Sequence, residues 1–203
     1  RQLLTDFYQS RGYADFQLQN VDVQLTQERD AYLVTYNIQE GQQFSFGAVT
    51  VTSEIPEADA AAFQDEVRLH SGQTYSPVLI EQDVARLERL ATRLGINFLR
   101  VDPVITRDDR NLALNVEFRL VRGERIFAER IDIEGNATTL DRVVRDQFTA
   151  VEGDPFNPRA IRESAERIRA LGYFAGADVQ ARQGSTEDQV VIDVNLTEKP
   201  TGT

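Results

Sequence analysis

Gly72-Gln-Thr-Tyr75-Ser-Pro77 returns as Gly153-Asp-Pro-Phe156-Asn-Pro158, displaced by 81 positions. Each copy is followed by an apolar stripe at helical spacing. The stripes are Ile80, Val84, Leu87, Leu90 and Ile161, Ala165, Ile168, Leu171. Each ends at a glycine, in Gly95-Ile96 and Gly172-Tyr173, and Gly12-Tyr13, after Leu4 and Phe7, is a third copy of that ending. A chain that repeats at this period folds as small modules in a row. Arrays of like modules bind or scaffold, because catalysis needs one distinctive site and not three similar ones.

The chain has 203 residues, 41% hydrophobic and 27% charged. That suits globular folding, and the repeat divides it into two complete modules and a fragment. We place the boundaries at 1–42, the back half of a module, 43–123 and 124–203. A module of about 80 residues just builds its own core, whereas 1–42 cannot bury much alone. The chain therefore reads as a piece of a longer protein. The formal charge is -11, with 22 Lys and Arg mixed among 33 acids. A polyanion surface needs clustered cations, so nucleic acid is excluded as the expected partner. No apolar run approaches the ~18–20 residues that span a bilayer as a helix. Without cysteine there are no disulfides or thiolate metal sites.

In the last module Arg130-Ile-Asp-Ile-Glu134 alternates as a half-buried strand does. Gly135-Asn136 turns, Thr138-Thr139 supplies a helix cap with Asp141, and Leu140, Val143, Val144 and Phe148 share a helical face that Gly153 stops. Asn157 and Pro158 open the second helix. An extended stretch at 174–182, a loop at 184–188 and an alternating strand through Val190, Ile192, Val194 and Leu196 follow. The middle module gives the same order: a strand with Val49 and Val51, a helix over 57–70, a helix from Ser76-Pro77, a strand over 98–106, a loop at 107–111, and a strand through Leu114, Val116, Phe118 and Leu120. The first segment supplies helix 1–11 and strands 16–25 and 31–39. Linkers at Gln42-Gln43 and Glu124-Arg125 are short, which predicts a semi-rigid array. The fold class is α+β, with modules of order β-α-α-β-β and two helices on one face of a three-stranded mixed sheet.

That order, with Leu171-Gly-Tyr-Phe174 at the helix end and Ile133-Glu-Gly-Asn136 at the strand end, resembles the POTRA family, the polypeptide-transport-associated modules of outer-membrane assembly proteins. Arg130 to Arg145, Glu152-Gly153 and the closing Glu198-Lys-Pro-Thr-Gly-Thr203 are similar to the last such module before a membrane β-barrel. In five-module members this chain corresponds to the end of the third module, the fourth and the fifth. Lys199-Pro200, where the other modules have Gly41 and Gly123, fits an exit to a barrel. The resemblance implies a non-enzymatic role at the periplasmic face of the bacterial outer membrane. The implied partners are unfolded outer-membrane proteins, BamD-like and other accessory lipoproteins, and the chain's own C-terminal β-barrel. The alternatives are the same modules in TamA or a two-partner secretion transporter, and a structural periplasmic scaffold.

Neither a cofactor nor a catalytic or metal site is expected. His70 stands alone and reads as structural or solvated. Asp108-Asp109 reads as turn chemistry. The sequons at Asn136 and Asn195 read as chance matches. Two features carry a functional reading. If the third strand of each module is central, the second lies at an edge, where Phe98, Arg100, Asp102 and Val104, or Ala177, Val179 and Ala181, can meet an extended client by β-augmentation; the other reading is that the charges protect this edge from pairing. By resemblance, Glu152, with Arg145 before it, matches an acidic position that contacts the BamD-like lipoprotein; the other reading is a solvated charge at a helix end.

Overall fold

The computed structural model describes residues 1–149 and 152–200. The chain falls into two compact units, Arg1–Arg122 and Gly123–Thr203. The first unit opens with α1 (Gln2–Gln9) and an antiparallel hairpin, β1 (Gln17–Leu25) and β2 (Tyr32–Gln39). Then come β3 (Ser45–Ser53), α2 (Ala60–Gln64), α3 (Pro77–Arg93), β4 (Leu99–Asp108) and β5 (Ala113–Arg122). Their sheet has the order β3-β5-β4, with β3 parallel and β4 antiparallel to the central β5. The second unit repeats this with β6 (Phe127–Glu134), α4 (Asp141–Arg145), α5 (Pro158–Ala170), β7 (Phe174–Gln183) and β8 (Gln189–Glu198), in the order β6-β8-β7. The third strand of each module is central and the second is an edge. Among the described residues no helix is long and apolar enough to cross a membrane.

Each module has its own core. Ile80, Val84 and Leu87 of α3 close over Val51, Val116, Phe118 and Leu120, all buried. Ile161 and Ile168 of α5 close over Ile131, Ile192 and Val194 in the same way. Val49 and Ile133 are only partly buried and pack against the two cores from outside. Three-strand rows match between modules: Val51, Phe118 and Pro103 align across one sheet, Ile133, Val194 and Val179 across the other. In the N-terminal hairpin, Tyr32, Val34 and Tyr36 remain exposed.

The first helices are shorter than the apolar spacing predicts. The helix expected over 57–70 is α2, five residues, and its counterpart ends at Arg145 rather than at Gly153. The chain beyond α2 is held by other partners, first Asp83, which accepts from the N–H groups of Arg68 and Leu69, and then a short ladder. Residues 72–75 run antiparallel to the start of β3, with Phe46 N–H donating to Gln73 O at 2.7 Å and Tyr75 N–H to Phe44 O at 3.0 Å. Ala128 with Asp154, and Phe156 with Ile126, repeat it at 2.8 and 2.7 Å. The recurring Gly-x-x-aromatic-x-Pro segment is therefore a short strand extension followed by a helix start, and Pro77 and Pro158 occupy the first turns of α3 and α5. Asn157 caps α5 by accepting from Arg159 N–H at 3.0 Å. Thr138 is not the cap of α4. Leu140 occupies that position and is exposed, while the Thr138 N–H and hydroxyl donate to Glu198. β4 starts at Leu99 and continues to Asp108, so the hairpin loop is shorter than 107–111 and Phe98 lies outside the strand with φ +61°. The closing residues 201–203 lie outside the described residues.

Glycine follows α1, α3 and α5 because the C-terminal turn needs positive φ: +94° at Gly12, +74° at Gly95 and +78° at Gly172. Gly12 has a second constraint. A Cβ there would sit 2.7 Å from Phe44 O and 2.8 Å from Gln43 Cγ, so the first segment meets the second module backbone to backbone.

Candidate functional site: open and closed sheet edges

A sheet edge presents a row of N–H and C=O groups that water, side chains or another strand must satisfy. The outer edges of β3 and β6 are satisfied from within. Gln64, the last residue of α2, accepts from Val51 N–H at 2.9 Å and donates to Val49 O at 3.4 Å. Its counterpart 81 positions on is Arg145, the last residue of α4, which donates to Ile131 O at 3.0 Å. Glu152 completes the clamp by accepting from Ile131 N–H at 3.2 Å. Arg145 and Glu152 lie 3.6 Å apart, and Asp141 accepts from Arg145 Nε at 2.6 Å. One carboxamide does in the second module what an ion pair does in the third.

Glu152 is thus neither at a helix end nor simply solvated. Its side chain is 52% exposed and that of Arg145 is 41% exposed, so the pair holds the strand on one side and meets solvent on the other. The aligned positions 64 and 145 were the available sequence signal for this clamp, though one is neutral and the other charged.

The edges of β4 and β7 differ from those of β3 and β6. Neither pairs with a further strand among the described residues. On β4, Arg100 is exposed and donates to Asp102 at 3.0 Å, and Val104 is half-buried. These three lie opposite Val121, Arg119 and Glu117 of β5. On β7, Ala177 is buried, Val179 half-buried and Ala181 exposed, opposite Leu196, Val194 and Ile192. The two sets expected from sequence are therefore not equivalent: the β4 set shares the polar face of its sheet, the β7 set the helix-covered face.

Two buried polar positions escaped the apolar-stripe reading of the second helices. Asp83, 1% exposed within the stripe of α3, accepts from the N–H groups of Arg68 and Leu69 at 3.1 and 2.9 Å and pairs with Arg86. At the equivalent place on α5, Ser164 is also buried, and Arg167 donates to Ser164 Oγ and to Gln147 O. An acid interrupting an apolar stripe is a legible sign of such a hydrogen-bonded staple.

His70 is exposed, with a ring nitrogen 3.3 Å from Arg68 O. Asp108 accepts from the side chain and N–H of Asn111 at 2.7 and 3.2 Å, bonds that hold its carboxyl below the ordinary aspartate value. That is the chemistry of a turn. Among the described residues no group of three or more His, Cys, Asp or Glu side chains is placed to hold a metal ion.

The POTRA family, described as "Surface antigen variable number repeat", matches residues 1–41, 44–123 and 127–199. Among curated relatives, the outer membrane protein assembly factor BamA of Neorickettsia risticii is 27% identical over 203 residues, covering 100% of this chain and 27% of that protein. BamA of Neisseria meningitidis serogroup B is 28% identical over 207 residues, covering 98% and 25%. The chain thus spans about a quarter of the length of these relatives. The solved structure of POTRA3-5 of Haemophilus influenzae BamA superposes with a TM-score of 0.66 at 23% identity, over 97% of this chain and 78% of that one. BamA of Haemophilus ducreyi lacking POTRA domains 1-3 gives 0.51 at 19% identity, over 79% and 30%.

Proposed function

The chain belongs to the POTRA family, and from that premise we propose that it is the periplasmic part of an outer-membrane protein assembly factor of the BamA kind. Its place is the periplasmic face of the outer membrane, ahead of a membrane β-barrel. It works by binding and not by catalysis. Unfolded β-barrel proteins bind as extended segments along a second-strand edge. Arg145 and Glu152 offer their solvent side to a BamD-like lipoprotein.

The observation that carries this reading is the asymmetry of each sheet. The first-strand edge is closed by Gln64 or by Arg145 and Glu152, while the second-strand edge has no partner strand among the described residues. Main-chain pairing along such an edge ignores most of a client's side chains, which suits a receptor for many unrelated β-strands. Arg100 and Asp102 bond to each other on the polar face of the sheet, so neither directs a lone charge along the edge.

The test is photo-cross-linking to a urea-unfolded outer-membrane β-barrel protein, with an unfolded helical protein as control. A photoreactive residue at Ala181 captures the β-barrel client, and one at Thr50 or Asp132, beside the closed edges, does not. Equal capture at all three positions, or equal capture of the helical control, would refute the reading.

A further inference from the structure

β4 carries a proline in its middle, and the register with β5 nevertheless runs unbroken from Leu99 to Asp108. Proline has no N–H, so it fits an edge strand only where its nitrogen points away from the neighbouring strand. Backbone direction alternates every residue along a strand. With Pro103 turned outward, Val101 and Ile105 turn outward too, and Arg100, Asp102 and Val104 direct their amides at β5.

The same row in the last module contains Val179, opposite Val194 as Pro103 is opposite Phe118. An independent contact fixes its direction. The carbonyl of Ala177 accepts from Arg169 Nη2 of α5 at 2.8 Å, so Ala177 faces away from β8, and Val179 and Ala181 face the same way. β7 therefore offers outward N–H groups at Ala177, Val179 and Ala181, evenly spaced, and of the outward carbonyls in this row Ala177 O is held by Arg169. β4 offers Val101 and Ile105 with a gap between them, filled by a ring where an incoming carbonyl needs a donor.

We propose that the two edges are not alike: β7 accepts an extended polypeptide strand across Ala177, Val179 and Ala181, and Pro103 closes β4 to the same pairing. This deepens the receptor reading and rests on it. The occupant is an extended chain because only alternating donors and acceptors at strand spacing match this row. Pro103 becomes the residue that decides which module takes a strand.

The experiment uses the 203-residue chain, isotope-labelled, and a soluble synthetic decapeptide alternating Tyr or Val with Thr or Lys. Titration shifts the amides of Ala177, Val179 and Ala181 and slows their hydrogen exchange, and leaves 99–108 unmoved. Val179→Pro, at a position where β8 needs no N–H, weakens binding by about tenfold or more, and its amide spectrum elsewhere reports that the module is folded. Pro103→Val adds a second response on Val101 and Ile105 at unchanged binding to β7. A response on β4 with Pro103 in place, undiminished binding in a folded Val179→Pro chain, or no new response in Pro103→Val would overturn this inference and leave the receptor reading standing. Absence of any edge response, in all three chains, would remove both.

Discussion

Arg107 and Asp15 bridge the first segment and the second module: the two guanidinium nitrogens Nη1 and Nη2 donate to the two carboxylate oxygens at 2.7 and 2.9 Å. Such a bidentate fork fixes orientation as well as distance. Arg107 also bonds Asp109 and lies 4.9 Å from the centre of the buried Phe44 ring. Beneath it Phe44 N–H donates to Gly12 O at 2.7 Å, and the Gln43 side chain donates to Arg11 O at 2.8 Å. A residue of the β4–β5 hairpin thus holds the turn that follows α1.

This geometry predicts that Arg107→Gln loosens the joint without unfolding the module, because the ion pair is half exposed and screened. A spin-label distance from Thr35 on β2 to Thr52 on β3 should broaden while the melting temperature holds. The Arg107 hydrogen bond keeps the Asp15 carboxyl below its ordinary 3.8. A depressed acid contributes fully above its unfolded value and loses the contribution as pH falls through its folded one. The distance distribution should therefore be narrow at neutral pH and widen only on strong acidification. An unchanged distribution in Arg107→Gln would show that the Gly12–Phe44 contact alone sets the joint.

Glu152 separates a structural role from a docking one. Glu152→Gln keeps a carbonyl oxygen for Ile131 N–H and removes the charge, whereas Glu152→Ala removes both. The alanine variant should lose about 1 kcal/mol, the worth of one hydrogen bond, and the Ile131 amide should exchange faster. The glutamine variant should keep slow exchange and still bind a purified BamD-like lipoprotein more weakly. Full-strength binding by Glu152→Gln in a calorimetric titration would mean that its charge does no docking.

Asp83 gives the sharpest stability prediction. Asp83→Ala strips the acceptor from two backbone N–H groups and leaves Arg86 without its partner. Loss of about 3 kcal/mol is expected in urea unfolding of the second module. Asp83→Asn retains one acceptor and should lose less. Leu87→Ala, at a fully buried position, should cost ~2–5 kcal/mol. An alanine at position 83 that unfolds at the parent urea concentration would mean that water replaces the carboxylate.

The strands and second helices were legible because burial repeats with the period of each element. Val116 and Phe118, or Ile192 and Val194, announce themselves by alternation. The polar staples show in sequence only as interruptions of that period, because the two modules fill the same position with different chemistry. Gln64 stands where Arg145 does, and Asp83 where Ser164 does. The last residue of the central strand is Arg122 in one module, donating to Glu57 at 2.9 Å, and Glu198 in the other, accepting from Thr138 and Thr139. The early ends of the first helices are illegible for a different reason. Their ends are set by partners far along the chain, such as Asp83 holding Arg68 and Leu69, and no local pattern shows those. At the candidate edge, the strand was legible but the direction of its amides was not, since that depends on register across the sheet.

Glu198 tests the staple that closes the last module. Its carboxylate accepts from Thr139 N–H at 2.8 Å, from Thr138 N–H at 3.0 Å and from the Thr138 hydroxyl at 2.9 Å. It thereby ties the end of β8 to the loop between β6 and α4. The Thr139 N–H bond and the Thr138 bonds hold the Glu198 carboxyl below its ordinary 4.5. Being depressed, it stabilises the folded module fully above 4.5, and that contribution disappears as pH drops through the lower folded value. Glu198→Gln mimics the protonated acid in charge and in acceptor number. At pH 7 the variant should melt below the parent, and the gap between the two should close as the buffer is taken from pH 5 toward pH 2. Other carboxylates lower both melting temperatures together and cancel in the difference. A gap that stays constant across that range would show that Glu198 holds the loop by shape and not by charge, and a variant that melts at the parent temperature at pH 7 would show that the loop needs no staple.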